Sequence, residues 1–489
     1  MNPAPASPWT ARFLGSGPGR FLTGRRPLGR RTFLAWCITL VLIRYNVDRS
    51  VAWQAGSQGW SIIDTRTIYA YLFEAWLLTD PDLAGAYWPR LAAVALPTLA
   101  LGLMLTLGRI RDAGLHPVWA VLSLVPGVKL VFFAILAGVP SKETVAAAGT
   151  EATRPMGKLD RWLPRSRWGC ALAAALASGG LALIPILAST KLFQSYGWGL
   201  FIITPYGLGM ISAGLYAYRH PLGRKEAALV ASMSVSVAGA LLFGLAIEGV
   251  ICLAMAAPFA FILAILGAAT VRVVLEATGR RRDDRMMCIA LLAAPLMTAG
   301  EVVLGPVPFR FTVSTEVHIA APPEIVWPLI VDVPELPPAH DLWSRVGIAT
   351  FRRAWTKGEG EGRVRYCEFD TGIAREPVVR WEPPHRLDLR VEYTPPAMEE
   401  WTFYRHIHPE HLDGFYQVDA ASFELDPVAG GTLLRGTTVY RHGLHPAWYW
   451  AWWSDRIVRD LQRRVLAETK LRAESAAARP VPLGRDLVP

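Results

Sequence analysis

Two periodicities divide the chain. Up to about residue 304, apolar residues come in long runs of the kind that cross a bilayer as helices. The runs lie at Thr32–Val47, Leu91–Leu107, Val118–Ala137, Trp168–Ser189, Gly197–Tyr218, Ala227–Val271 and Met286–Leu304. Ala227–Val271 is too long for one crossing at about 1.5 Å per residue. Glu248-Gly249 near its middle marks a tight turn between two helices. This predicts eight spans. Ser61–Leu78 is aromatic and apolar but carries Asp64, Arg66 and Glu74. It either crosses as a ninth or lies in the interface.

From Phe311 apolar and polar residues alternate with period 2, the strand period. A strand is predicted over Phe311–Ala320. A short helix follows over Pro322–Ile330, with proline near its first turn. Val333–Trp343 is proline-rich and reads as turns. Further strands are predicted at Gly347–Trp355, Gly362–Asp370, Ala374–Glu382, Arg386–Tyr393, Tyr416–Leu425 and Thr432–Arg441. A long helix over Ala447–Ala473 repeats Trp450, Trp453, Ile457, Leu461 and Val465 at three- or four-residue spacing, giving one apolar face. The fold class is therefore a multi-span α-helical membrane region followed by an α+β domain. The divisions are a basic tail at 1–31, membrane regions at 32–140 and 168–306 around a polar linker at 141–167, the α+β domain at 307–475, and a tail at 476–489.

Composition agrees with a membrane reading: 52% of the 489 residues are hydrophobic and mean hydropathy is +0.28. The net charge of +10 would point to nucleic acid in a soluble chain. Here the excess Arg and Lys flank apolar spans, where orientation and anionic headgroups account for it. No zinc-finger spacing or RNA-binding aromatic signature occurs, so nucleic acid is not an expected partner. The five cysteines form no disulfide framework. Cys367 is alone in the α+β domain. The Arg-rich start without a small-residue cleavage site reads as an uncleaved first helix in the inner membrane. Sharing one basic, cytoplasmic side among 141–167, Arg219–Lys225 and Gly279–Arg285 sends the C-terminal domain to the exoplasmic side. With the N-terminal tail also inside, that requires nine crossings. Eight crossings keep the domain cytoplasmic but leave three basic loops outside. The exoplasmic placement is the expectation taken forward.

Two stretches resemble known families. Phe21-Leu-Thr-Gly-Arg-Arg-Pro-Leu-Gly-Arg-Arg-Thr-Phe33 precedes the first span, and Gly108-Arg-Ile-Arg-Asp-Ala-Gly-Leu-His-Pro-Val-Trp119 links two others. Residues 20–145 are similar to the bacterial inner-membrane family called domain of unknown function 805, matching at Arg109, Asp112, Gly114 and Trp119. That family brings no activity. Physically, Arg109, Arg111 and Asp112 form a charge cluster that can pair internally and hold headgroup phosphates. An ordinary basic loop is the competing reading. Ile319-Ala-Ala-Pro-Pro-Glu-Ile-Val-Trp327, Gly360-Glu-Gly-Arg-Val-Arg365, Val379-Arg-Trp-Glu-Pro-Pro-His-Arg-Leu387 and Trp453–Leu471 resemble the START-like (SRPBCC) superfamily, polyketide cyclase/dehydrase-like branch, over 310–474. The resemblance implies a helix-grip fold, a curved antiparallel sheet around the long helix. It also implies a cavity for an apolar small molecule or lipid, and no particular reaction.

Such a cavity is mostly apolar with a few polar anchors. Trp450, Trp453 and Ile457 are candidates to line it from the helix, with Tyr393, Phe403 and Phe415 closing it; simple core packing is the alternative for each. Tyr404-Arg-His-Ile-His-Pro-Glu-His-Leu-Asp-Gly414 inserts between two strands and concentrates Tyr404, Arg405, His406, His408, His411 and Asp413. These are ligand-anchor candidates. Their spacing has no zincin-like helical pair, so no metal and no other cofactor is expected. His442 and His445 flank the start of the long helix and can share the mouth. Glu368 and Glu376 are further polar candidates, and alternation alone leaves open which faces inward. The leading expectation is a membrane-tethered domain binding a hydrophobic small molecule or lipid at the bilayer. A second is an enzyme on an apolar substrate with His408, His411 or Glu368 as general acid/base. A third is a structural or sensing partner of another membrane protein.

Overall fold

The structure is a computed structural model describing residues 27–54, 81–124, 128–139, 141, 162–279, 284–304, 309–358, 362–400, 407, 412 and 414–478. Contacts divide it into two compact units: Met1–Leu241 with Ala256–Pro306, and Leu242–Met255 with Val307–Pro489.

The helices before the sheet are α1 (Arg30–Gln54), α2 (Pro81–Asp112), α3 (Val128–Gly138), α4 (Arg167–Leu187), α5 (Thr204–Ala217), α6 (Arg224–Gly244), α7 (Val250–Thr278) and α8 (Asp284–Leu304). Single π-turns extend α4 to Leu192 and begin α5 at Gly199. Among the described residues, four helices are long and apolar enough to cross a membrane: Arg167–Leu192, Gly199–Ala217, Arg224–Gly244 and Val250–Thr278. Met287–Val303 is apolar but shorter. The long run Ala227–Val271 is indeed two helices parted near Glu248-Gly249. Val118–Ala137 differs from expectation: it holds a 3-10 helix, Pro117–Leu124, and the separate α3. Between them stand Pro126, which lacks a backbone donor, and Gly127, a weak helix former. Ser61–Leu78 lies outside the described residues.

Within the first unit α5 and α7 approach to backbone contact. A Cβ on Gly209 would stand 1.8 Å from Ala264 O, and one on Gly267 would stand 2.0 Å from Tyr206 O. Tyr206 and Thr270 hydroxyls bond across the same pair at 2.8 Å. Small residues let membrane helices approach closely and gain dispersion contact. Glu301 of α8 is buried and accepts from Gly199 N–H at 3.0 Å and Ser195 Oγ at 3.3 Å. It caps the start of the helix it faces.

The second unit holds an antiparallel sheet in the order β1-β7-β6-β5-β4-β3-β2. The strands are β1 (Phe309–Ile319), β2 (Phe351–Lys357), β3 (Val364–Phe369), β4 (Gly372–Glu382), β5 (Arg386–Arg390), β6 (Tyr416–Val428) and β7 (Gly431–His442). Short helices α9 (Pro323–Val331) and α10 (Leu342–Arg345) follow β1, and α11 (Ala447–Ala477) closes the chain of elements. The seven strands and the long helix follow the predicted order, with β2 beginning at Phe351 rather than Gly347 and β5 ending at Arg390 rather than Tyr393. The outer face carries charge: Arg435 joins Glu316 (2.6 Å) and Glu424 (3.1 Å), and Arg386 joins Glu424 at 2.7 Å. Leu387, Leu389, Leu425, Leu434 and Ile319 fill the inner face against Leu466 and Ala473 of α11 and Val326 and Ile330 of α9. Phe351, Ala354, Cys367 and Ala374 pack with Leu461 and Val465 on another side of α11.

Candidate functional site in the sheet–helix interior

Among the described residues the inner face is largely apolar, and its one buried ion pair stands at the β3–β4 ladder. Arg365 on β3 and Glu376 on β4 stand directly opposite each other in the ladder. They are 4% and 8% exposed. Arg365 Nη1 donates to Glu376 Oε2 at 3.0 Å, and Cys367 Sγ lies 3.2 Å from Nη1 and 3.1 Å from the same carboxylate oxygen. Arg365 Nε also reaches Val331 O, at the end of α9, at 3.3 Å. The guanidinium sits 5.4 Å from the Phe423 ring. Burial pushes the Cys367 thiol well above its usual range; Arg365 pulls it down and Glu376 pushes it up. The thiol therefore stays protonated, donates to Glu376 and is a poor nucleophile. A buried ion pair with its hydrogen bonds closed in this way survives the loss of water.

Towards the start of α11 the interior becomes aromatic. Val313, Tyr440 and Val458 pack with Phe311, Tyr416 and Val418. Tyr440 OH donates to Asp455 Oδ1 at 2.6 Å. Gln462 of α11 donates to Val313 O at 3.1 Å and Thr438 Oγ1 at 2.9 Å, and accepts from Thr315 Oγ1 at 2.7 Å. His442 stacks on Phe311 at 4.9 Å, and Phe309 meets His445 edge-on at 5.4 Å. Burial, with His445 nearby, lowers the His442 pKa to about 4, so the ring is neutral. The His442 ring meets the Leu444 backbone, while among the described residues the buried Trp453 Nε1 has no hydrogen-bond partner. Buried polar atoms are rarely left so.

The sequence candidates fall out as follows. Trp450 is buried, and Trp453, Ile457 and Phe415 are half-buried. Tyr393 is 56% exposed and does not close the interior. Glu368 faces away from α11 and pairs with Arg353 at 2.6 Å, so the inward carboxylate is Glu376. Phe403, Tyr404, Arg405, His406, His408, His411 and Asp413 lie outside the described residues. In the first unit Arg109 is fully buried: it donates to Leu136 O at 2.9 Å, to Val139 O and to Asp112. Asp112 also accepts from Ser141 Oγ at 2.6 Å, and Arg111 is exposed. The Arg109 guanidinium thus ends α3 instead of facing headgroups.

Sequence reasoning passed over Arg365, Tyr440, Asp455 and Gln462. For Arg365 a signal existed. The Asp370-Thr371 loop joins Phe369 to Gly372, and counting back from that turn sets 365 opposite 376. On the outside, a groove of about 350 Å³ runs between β1 and α11, floored by Val317, Leu466 and Leu471 and rimmed by Glu316, Arg463, Lys470 and Glu474.

Residues 310–448 match the family model described as polyketide cyclase / dehydrase and lipid transport. No curated protein matches the chain. Similar solved structures include protein NE0264 from Nitrosomonas europaea, 12% identical, covering 34% of this chain and 97% of that one, with a TM-score of 0.21. The Aha1 dimer from Colwellia psychrerythraea is 16% identical over 34% of this chain and 96% of that one, at 0.19. The Polyketide_cyc-like protein Cgl2372 from Corynebacterium glutamicum is 19% identical over 35% and 93%, at 0.18.

Proposed function

We propose, from the polyketide cyclase/dehydrase and lipid transport domain at residues 310–448, that this chain is a membrane-tethered protein whose C-terminal domain binds a hydrophobic small molecule or lipid. The carrying observation is the contrast within the sheet–helix interior. Its inner face is largely apolar, with a closed polar cluster at Arg365, Glu376 and Cys367 and a few further polar groups, Tyr440, Gln462 and His442, towards the start of α11. Apolar walls with few polar anchors are what such ligands require. The larger hydrophobic clusters lie under Leu461, Val465, Leu466 and Ala473 and a smaller one at Val458, so this reading puts the ligand at the first turns of α11, beside Trp450, Trp453 and Ile457.

Tethering rests on the apolar helices and on the short stretch from Leu304 to Phe309. Leu242–Met255 and Val307–Pro489 form one unit, which supports a common side for the turn after α6 and the domain after α8. With α6, α7 and α8 as single crossings, basic Arg219–Lys225 and Gly279–Arg285 fall on the other side. Positive residues stay cytoplasmic, and the domain is then exoplasmic. Residues 20–145 enter this reading only as part of the anchor.

Native mass spectrometry of the full-length protein taken from membranes tests the binding. An apolar molecule should co-purify and be lost in Ile457→Trp, which fills space beside α11. Protein that carries none, and takes up none from a panel of lipids and apolar metabolites, rules the reading out.

A further inference from the structure

Leu242–Met255, the end of α6, its turn and the start of α7, folds with the C-terminal unit. The contacts there are specific. Loops 347–349 and 397–400 make one corner: Ile348 bridges Met398, and Glu399 N–H donates to Gly347 O at 2.7 Å. Gly347 has φ +98°, and a Cβ there would stand 2.2 Å from Glu399 O and 3.5 Å from Ile251 Cδ1. Glu400, 6% exposed, lies against Gly249; a Cβ at 249 would stand 1.7 Å from Glu400 Oε2. The carboxylate faces the Cys252 thiol and the backbone N–H groups of Cys252 and Ile251, the third and second residues of α7. Cys252 Sγ lies 3.9 Å from Met398 Sδ. Tyr449 of α11 donates its hydroxyl to Met255 O.

The first N–H groups of a helix have no carbonyl partner within it, and negative charge is favoured beside them. Most helices cap themselves from the preceding residue. Here the residues before Val250 are Glu248 and Gly249. Gly249 has no side chain, and its lack of one makes room for a carboxylate arriving from elsewhere. We infer that the α6–α7 turn is a docking partner built into the same chain, and that Glu400 is the positioning residue that holds it by capping α7. The corner at 397–400 and the start of α7 then move as one body. Glu400 is followed in the sequence by the histidine-rich stretch Tyr404–Gly414.

Oxidative cross-linking of the full-length protein in native membranes tests this. Met398→Cys should form an intrachain disulfide with native Cys252 under copper(II) phenanthroline, read as a linked peptide. A Ser314→Cys/Thr437→Cys pair, whose native hydroxyls are 2.8 Å apart on neighbouring strands, reports that oxidation works and that the sheet is folded. Adding Glu400→Ala should cut the 252–398 yield at least five-fold while the strand pair still links. Glu400→Gln, whose amide oxygen still accepts, and the exposed neighbour Glu399→Ala should leave the yield near that of Met398→Cys alone. The inference is overturned if the strand pair links and 252–398 does not, if the link forms only between two chains, or if Glu400→Ala leaves the yield unchanged.

Discussion

At the scale of single residues the interior turns on which groups are buried together. Removing one member of the Arg365–Glu376 pair leaves a buried charge without its partner, which costs about 3–5 kcal/mol, whereas replacing both with apolar residues of similar volume is often near neutral. Glu376→Ala should therefore lower the melting temperature of the full-length protein sharply, and Arg365→Met/Glu376→Leu should restore most of it. If the double variant folds well yet loses its bound molecule in mass spectrometry, the pair serves the ligand and not only the fold. His442 gives a pH signature. Its pKa is lowered to about 4 in the folded protein, against about 6.5 for the unfolded side chain. The unfolded state then binds the extra proton first. Stability is full above about pH 6.5 and falls as pH drops towards 4, by up to roughly 3 kcal/mol. His442→Phe keeps the stack on Phe311 and should flatten thermal melts between pH 7 and 4.5; an unchanged slope would assign the loss to other groups.

At the scale of elements, two carboxylates recur in one role. Glu301 meets the first turn of the Gly199–Ala217 helix and Glu400 meets the first turn of α7, each from a distant part of the chain. Helix packing in the first unit relies on glycine for a different reason. Gly209 and Gly267 each oppose a backbone carbonyl, and a carbonyl cannot swing aside as a side chain can. Gly209→Ala or Gly267→Ala should lower the melting temperature of the detergent-solubilised protein by several degrees. Gly239→Ala, with nothing within 4 Å of the added methyl, should not. The strands show why alternation alone left the inward side chains open. β2, β4 and β6 each carry a register shift, at Phe351/Arg353, Val378/Arg380 and Val418/Ala420. Each shift flips the side-chain phase. Glu376 and Trp381 thus both serve the interior side of β4 although they are five positions apart.

For the whole molecule, sidedness is the property with the widest consequence, since it decides which molecules an apolar pocket meets. Alkaline phosphatase fused after Pro489 should be active and green fluorescent protein dark at the same position. Cysteines introduced at Leu245 and at Arg281 should label from opposite sides of sealed vesicles. A fluorescent C-terminal fusion, or labelling of both positions from one side, would reverse the proposed orientation.

What the sequence by itself determined is what short-range physics controls. The change of period near Phe311, the order of strands and helices beyond it, the paired helices within Ala227–Val271 and the apolar stripe of α11 all follow from spacing between neighbours. Only the tertiary structure decided that Glu376 and not Glu368 turns inward and that Arg109 ends α3. It also decided that Tyr440, Asp455 and Gln462 join helix to sheet, and that Leu242–Met255 belongs with the C-terminal unit. Those outcomes depend on register shifts and on contacts between residues tens to hundreds of positions apart. Neither leaves a periodic mark in the local sequence, because a carboxylate looks the same along the chain whether it meets solvent or the bare end of a helix.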